Sequence, residues 1–262
     1  CLGSICAMAG LEWKVPQGPH EFFFSLKDRE VAEQLALRSS RLFIACERKE
    51  LTNKVWAKGE RDLLAPHVVA CFNDFSLISQ WTAGVIVGQE TLDRRTAALE
   101  KMINILHELI ELRDYQSAMM MLSGIKSSSV HRLKHTRNAL SPQAKAMEQS
   151  AYKLLSSENR FSNLRKAHSE PCNRMVPYVG LYLTDITFME DSGGEGNIAT
   201  LDEKCSLIID SLEEAQRRSY IGDFEENPVI QDYFAVASVP ERETYAQSLL
   251  REPRDARLED LL

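Results

Sequence analysis

Four side chains in the stretch Val176–Asp191 carry the residue types that chemistry needs: Thr184, Thr187, Glu190 and Asp191. On a helix, Thr184, Thr187 and Asp191 fall at i, i+3 and i+7 and so share one face. Leu183 and Ile186 line a neighbouring face that can pack inward. The stretch therefore reads as a helix with a buried side and a polar, acid-tipped working side. Glu190 and Asp191 are an acid pair only in sequence, because adjacent residues point to different sides of a helix. His131 and His135 are spaced to chelate a metal from one helix face. They lack a neighbouring carboxylate, and Arg132 and Lys134 crowd the spot with positive charge, so surface or capping histidines are expected and no metal is assigned. The chain has no GxxxxGK[ST], GxGxxG, HExxH or GxSxG pattern. No nucleophile with a base assembles at a recognisable spacing. The expectation is a protein that makes no bonds and needs no cofactor.

Stepping out to the elements that must hold these residues, 262 residues with 44% hydrophobic content can bury one large core or two small ones. A formal net charge of −7 gives no electrostatic footprint for nucleic acid or acidic lipid. No apolar run approaches the roughly 18 residues of a transmembrane helix. The opening CLGSICAMAG has no basic leader, and is read as a cut end or cloning remnant rather than a signal peptide. The six cysteines show no CxxC spacing, which predicts reduced thiols and a cytoplasmic setting.

Along the chain, residues 11–26 read as an irregular arm, with Phe22–Phe24 as a strand or, preferably, an extended segment. A helix is expected from Lys27–Asp28 to about Arg38, with Val31, Leu35 and Leu37 on its apolar face and Ser39 or Ser40 capping the next one. Glu50–Trp56 reads as a short helix. Pro66 starts a long buried helix that carries Asn73, Ser79, Gln80 and Trp81 and ends at Gly88. Thr91 opens its partner. Asp114 caps Tyr115–Ile125, whose Met119, Met120 and Met121 read as core filler or as an adaptable partner-binding face. Lys126–Ser129 breaks that helix and Ser129 caps the next. Ser141-Pro142 starts another, and Asn159 or Ser162 a short one. After a Ser192–Gly196 loop, a helix is expected from about Asp202 to Tyr220, then helices from Pro228 and Pro240. The charged end should fray. Strand signals are nearly absent, so the chain reads as one compact all-α domain spanning residues 27–253, between an N-terminal arm (1–26) and a frayed tail (254–262).

Six blocks in order carry a resemblance: VAEQLALRSSRLF, ELTNKVWAK, LAPHVVACFNDFSLISQW, ELIELRDYQSAMMMLSGIKSSSVHRLKHT, VPYVGLYLTDITFMED and YAQSLLREP. Together they make residues 27–253 resemble the catalytic domain of Ras-family guanine-nucleotide exchange factors, of the son-of-sevenless and Ras-guanine-releasing-factor type. The resemblance implies a helical bowl with a protruding hairpin, here Thr184–Asp191 plus the helix from about Asp202. It implies a Ras-like small GTPase of the Ras, Rap or Ral type as partner. By position, Thr187 matches the residue that excludes the GTPase's Mg²⁺, and Asp191 the acid that competes with phosphate, with Glu190 and Thr184 beside them. Thr187 is smaller than the leucine of son of sevenless, and Asp191 is one methylene shorter than the usual Glu. Tyr178 matches an aromatic that packs on switch II, with Phe188 as a further contact. Lys126 stands where the family usually has Asn, Asn73 near an often basic position, and Ser79 and Gln80 in a rim that often touches the GTPase. Arg95, Arg165 and Trp81 are expected to be structural, the two arginines in buried salt bridges. Residues Asn173–Met175 are an apparent insertion at the base of the hairpin. The resemblance also implies upstream regulatory domains outside this chain and membrane recruitment through them. The alternative is a catalytically weak or inactive module of the same fold that docks a GTPase or an adaptor.

Overall fold

The computed structural model describes residues 19–192 and 198–261, and among these residues it is built from α-helices and short 3-10 turns without a strand. The helices are α1 (Pro19–Ser25), α2 (Asp28–Ala45), α3 (Arg61–Leu64), α4 (Pro66–Val87), α5 (Leu92–Glu111), α6 (Tyr115–Lys126) and α7 (Ser128–His131). They continue as α8 (Lys134–Ala139), α9 (Pro142–Leu155), α10 (Ser162–Ser169), α11 (Val179–Ser192), α12 (Ile198–Gln216), α13 (Pro228–Val236) and α14 (Glu241–Arg251).

Helix α4 is the axis of the body and packs on α2, α5, α6, α13 and α14. Pro66 sits at its first position, where the missing N–H costs nothing. Its next two free amides, those of His67 and Val68, donate to the buried Glu50 carboxylate at 2.9 and 3.1 Å. That carboxylate answers both the orphan donors and the positive end of the helix dipole. Farther along, Trp81 is fully buried and meets Phe23, Tyr233 and Phe234 edge-on, at 6.2, 6.0 and 5.0 Å. Trp81 thus sits at the centre of an aromatic knot in the core.

The same knot corrects the reading of the lead-in. Pro19–Ser25 is helical, because a helix delivers Phe23 into the Trp81 cluster. Residues 1–18 lie outside the described part. Helix α2 runs through Ser39 and Ser40 rather than stopping before them. Both hydroxyls are buried and used elsewhere: Ser39 Oγ donates to Asp114 Oδ2 at 2.9 Å, and Ser40 Oγ accepts the Tyr220 amide at 3.2 Å. The expected helix at 50–56 is instead two 3-10 turns, Arg48–Leu51 and Val55–Ala57, separated by Asn53 and Lys54 at positive φ. Ser127, not Ser129, precedes α7, and Ser129 is buried. Phe161, in left-handed backbone, precedes α10. Of the two readings of the methionines, core filler holds for Met120 and Met121, which are buried.

The chain end is tied rather than frayed. Buried Glu252 accepts from the amides of His135 and Thr136 at 3.0 and 2.9 Å, and from Thr136 Oγ1 at 2.6 Å. His135 Nε2 contacts the Ala256 carbonyl at 2.9 Å, and Leu258–Asp260 forms a 3-10 turn. His135 is thus a bridging side chain, while His131 is exposed.

Helices α11 and α12 pack chiefly on each other, and α12 also touches α2. The second helix begins at Ile198, four residues before the expected Asp202, and ends at Gln216. Gln216 Nε2 donates to the Phe43 and Cys46 carbonyls at 2.8 and 2.9 Å, closing the C-terminal end of α2. The loop glycines Gly193, Gly194 and Gly196 lie outside the described residues. At the base, residues 173–176 are stitched in. Met175 N donates to Arg218 O at 3.0 Å, Arg174 forks onto Asp223, and Val176 pairs with 113–115 in a lone parallel bridge.

Candidate functional site

The α11 face expected from spacing exists. Leu183 and Ile186 are buried, Thr184 and Asp191 are exposed, and Thr187 is half-buried beside them. The three polar residues line one open recess of 520 Å³, with Leu183 and Phe188 from the same helix. The far wall is aromatic: Trp56 from the second 3-10 turn, Phe72 from α4, and Tyr178 just before α11. Each threonine spends its hydroxyl proton on its own helix. Thr184 Oγ1 donates to Gly180 O and Thr187 Oγ1 to Leu183 O, both at 2.7 Å. Their lone pairs and methyls are what face outward.

Tyr178 is half-buried, its ring 6.3 Å from Phe75 and 6.0 Å from Phe161, and burial raises its phenol pKa. The ring lies over Gly180 so closely that a β-carbon there would fall 2.4 Å from it. Any larger residue at 180 would force the Tyr178 ring to move. Phe188 is 51% exposed, with the Arg160 guanidinium 4.7 Å from its ring centre.

Asp191 is not a lone acid: Lys54 Nζ donates to its Oδ1, and that contact raises the lysine pKa. Glu190 points away, into a second recess with Arg48, Thr52 and Ser206. The two acids therefore part company, as adjacent helical residues must. Charged struts hold both hairpin helices. Arg165 on α10 forks onto Asp185 of α11 at 2.7 and 2.6 Å, and Arg48 reaches Asp210 and Glu213 of α12 at 2.7 and 3.2 Å. Arg165 was expected to be buried; its side chain is 38% exposed, so it is a surface brace rather than a core ion pair. Behind α11, His168 stacks on Tyr182, and burial with the nearby Arg165 charge pulls its pKa down to about 4. It is neutral packing at physiological pH.

Arg95 is buried as expected. It is held mainly by the Gln89 and Glu90 carbonyls at 3.3 and 2.7 Å and by Thr136 Oγ1, with Glu252 at 3.9 Å. Desolvation lowers its pKa. Lys126 is turned toward α9, paired with Glu148 at 3.0 Å and 5.0 Å from the Tyr152 ring centre, so the structure does not bring it to the α11 recess. Asn73 is exposed on α4 next to Phe72. Ser79 and Gln80 line another recess, together with Ser76. One face of α4 thus runs from Phe72 through Asn73 and Ser76 to Gln80, about 12 Å at 1.5 Å per residue. Trp56, Phe72 and Lys54 are the residues that sequence reasoning missed at this site. Phe72 alone had a signal, in α4 itself, too apolar for a single buried stripe, with Phe72 and Phe75 three apart on a second face.

The family pattern of the RasGEF domain matches residues 30–208. Among curated proteins, Ras guanine nucleotide exchange factor G of Dictyostelium discoideum is 29% identical over 244 residues, which is 91% of this chain and 16% of that protein. Ras guanine nucleotide exchange factor K of the same organism is 30% identical over 246 residues, again 91% and 16%. Factor A is 28% identical over 258 residues, 91% of this chain and 42% of the relative. The chain therefore spans 16% of the length of the first two relatives. Set beside an all-helical body, an α11–α12 hairpin and a family match from residue 30 to residue 208, the conclusion is that this chain belongs to the RasGEF domain family.

Proposed function

We propose that residues 27–253 form the catalytic domain of a guanine-nucleotide exchange factor for a Ras-like small GTPase, of the Ras, Rap or Ral type. The observation that carries the reading is the α11 face. Thr184, Thr187 and Asp191 present hydroxyl lone pairs, methyls and a carboxylate toward one recess whose opposite wall is Trp56, Phe72 and Tyr178. The aromatic wall suits an apolar anchor of the docked GTPase, the usual character of an interface hot spot. The α11 edge then reaches the nucleotide site. Thr187 occupies the space of the Mg²⁺ coordination, and Asp191 competes for the donors that hold phosphate and repels its charge. No covalent bond changes on this chain. Exchange factor and nucleotide each weaken the other's binding by the same coupling free energy. A cytoplasmic setting goes with this reading, and the absence of a disulfide at Cys46, Cys71 and Cys172 accords with it.

Release of fluorescent GDP from a panel of purified Ras, Rap and Ral type GTPases tests the proposal. At least one should be accelerated, and Thr187→Ala and Asp191→Ala should each lower the rate about tenfold, some 1.4 kcal/mol of barrier. Rates indistinguishable from the unassisted ones across the panel would sink it. A second reading, a docking module without exchange activity, is favoured by one observation: the Asp191 carboxylate is already taken by Lys54. Tight GTPase binding without faster release would select that reading.

A further inference from the structure

Beyond the α11 recess, about two helical turns along α4, lies a cavity of 240 Å³ between α4, α6 and the start of α14. Six hydroxyl side chains line it, those of Ser76, Ser79, Ser123, Ser127, Ser129 and Thr244, together with the Gln80 amide and the Glu241 carboxylate at its rim. Ser129 is fully buried, and neither its hydroxyl nor that of Ser127 has a hydrogen-bond partner among the described residues. Native interiors rarely leave such groups unsatisfied, and orphaned hydroxyls lining a cavity point to a polar guest. Three of the other hydroxyls fix what kind of guest. Ser76 Oγ donates to Phe72 O at 3.1 Å, Ser79 Oγ to Met120 O at 2.9 Å, and Thr244 Oγ1 to Pro240 O at 3.0 Å. With their protons spent, they can offer only lone pairs. Helix α6 ends at the cavity while α14 begins there, so their dipoles oppose each other. The carboxylate and the lone pairs then set the sign.

We propose that this cavity is a socket for a cationic, donor-rich side chain, an arginine or lysine on the surface of the docked GTPase. A guanidinium carries five donors and no acceptor, which matches the three hydroxyls with spent protons, the two uncommitted ones and the Glu241 carboxylate. The proposal rests on the exchange-factor reading for the identity of the partner, but not for the chemistry of the cavity. It makes Glu241 a specificity determinant: GTPases lacking a cation at the matching position leave the socket unfilled and dock more weakly.

Two measurements on the full chain test it. Methylguanidinium chloride, titrated while amide chemical shifts are followed, should move the signals of Gly124, Ser129 and Thr244. Glu241→Lys should weaken that response about tenfold, and Glu243→Lys, on the same exposed turn but outside the lining, should leave it alone. No response to methylguanidinium, or the same shifts caused by acetate, overturns the socket. For a GTPase that responds in the release assay, Glu241→Lys should raise KM about tenfold with kcat unchanged, while Glu243→Lys changes neither. Equal effects of the two variants would reduce Glu241 to general charge steering and overturn the proposal. If no GTPase responds, the exchange-factor reading fails on its own account, and the methylguanidinium titration still decides the chemistry of the cavity.

Discussion

At the scale of single residues, what was legible followed from period and chemistry. The 3.6-residue repeat put Thr184, Thr187 and Asp191 on one face and Leu183 and Ile186 on another, and the structure agrees. What was not legible depends on long-range partners. Lys54 meets Asp191 across 137 residues of chain, and it does so from a left-handed backbone position that no local pattern announces. Arg165 was legible as an ion-pairing residue but not as a half-exposed one, since exposure is decided by the packing of α10 on its neighbours. The Lys54–Asp191 pair is open to solvent, so screening and side-chain entropy leave it little net effect on stability. Its consequence is functional instead. While paired, Asp191 is not free to compete for phosphate donors. Lys54→Ala should therefore speed GDP release a few-fold while leaving the urea midpoint almost unmoved. Slower release would show that Lys54 positions α11 rather than restraining its acid.

At the scale of elements, helix starts were legible wherever a cap or a proline made the local argument: Thr91, Asp114 and Ser141 each accept an amide of the helix that they precede. They were missed where a tertiary partner overrode it. Ser39 and Ser40 look like caps, but their hydroxyls are claimed by Asp114 and by the Tyr220 amide. Phe22–Phe24 looks extended, but the Trp81 cluster recruits it as a helix. The closest helix pairing, α4 on α6, rests on Gly124. A β-carbon there would sit 2.6 Å from both the Ser79 carbonyl oxygen and Thr82 Cβ. Alanine gains up to about 1 kcal/mol of helix propensity, but overpacking against backbone costs about 1–3 kcal/mol. Gly124→Ala should thus destabilise the body, measured by urea unfolding; an unchanged midpoint would mean that the two helices can slide apart cheaply. The Arg165–Asp185 fork makes a different demand. Removing it should loosen α11 without unfolding the body, so Arg165→Ala should raise amide hydrogen exchange in α11 and leave α4 protected. Equal protection in both helices would strip Arg165 of its bracing role.

At the scale of the whole molecule, the body and the hairpin meet at one buried carboxyl. Asp114 is 0% exposed, accepts from Ser39 on α2 and from the Ser117 amide of α6, and belongs to the segment bridged to Val176 at the hairpin base. Burial pushes its pKa up to about 6, against the opposing pull of the Ser117 and Ser39 hydrogen bonds and with added repulsion from Asp74. An unfolded Asp titrates near 3.9. The folded state therefore holds its proton more tightly, and stability contributed by the protonated form is complete below about pH 4 and is lost as pH rises through about 6. A difference of roughly two pKa units corresponds to about 3 kcal/mol for this fully buried group. Asn at this position keeps the geometry, its carbonyl accepting from Ser117 and its amide donating to Ser39, and does not titrate. The stability of Asp114→Asn relative to the parent chain should thus rise by about 3 kcal/mol between pH 4 and pH 7.5, in paired urea unfolding curves that cancel every other titrating group. A difference that stays constant with pH would mean that Asp114 titrates alike in both states. The junction between body and hairpin would then hold an ordinary carboxylate, not a carboxyl that burial keeps protonated up to about pH 6.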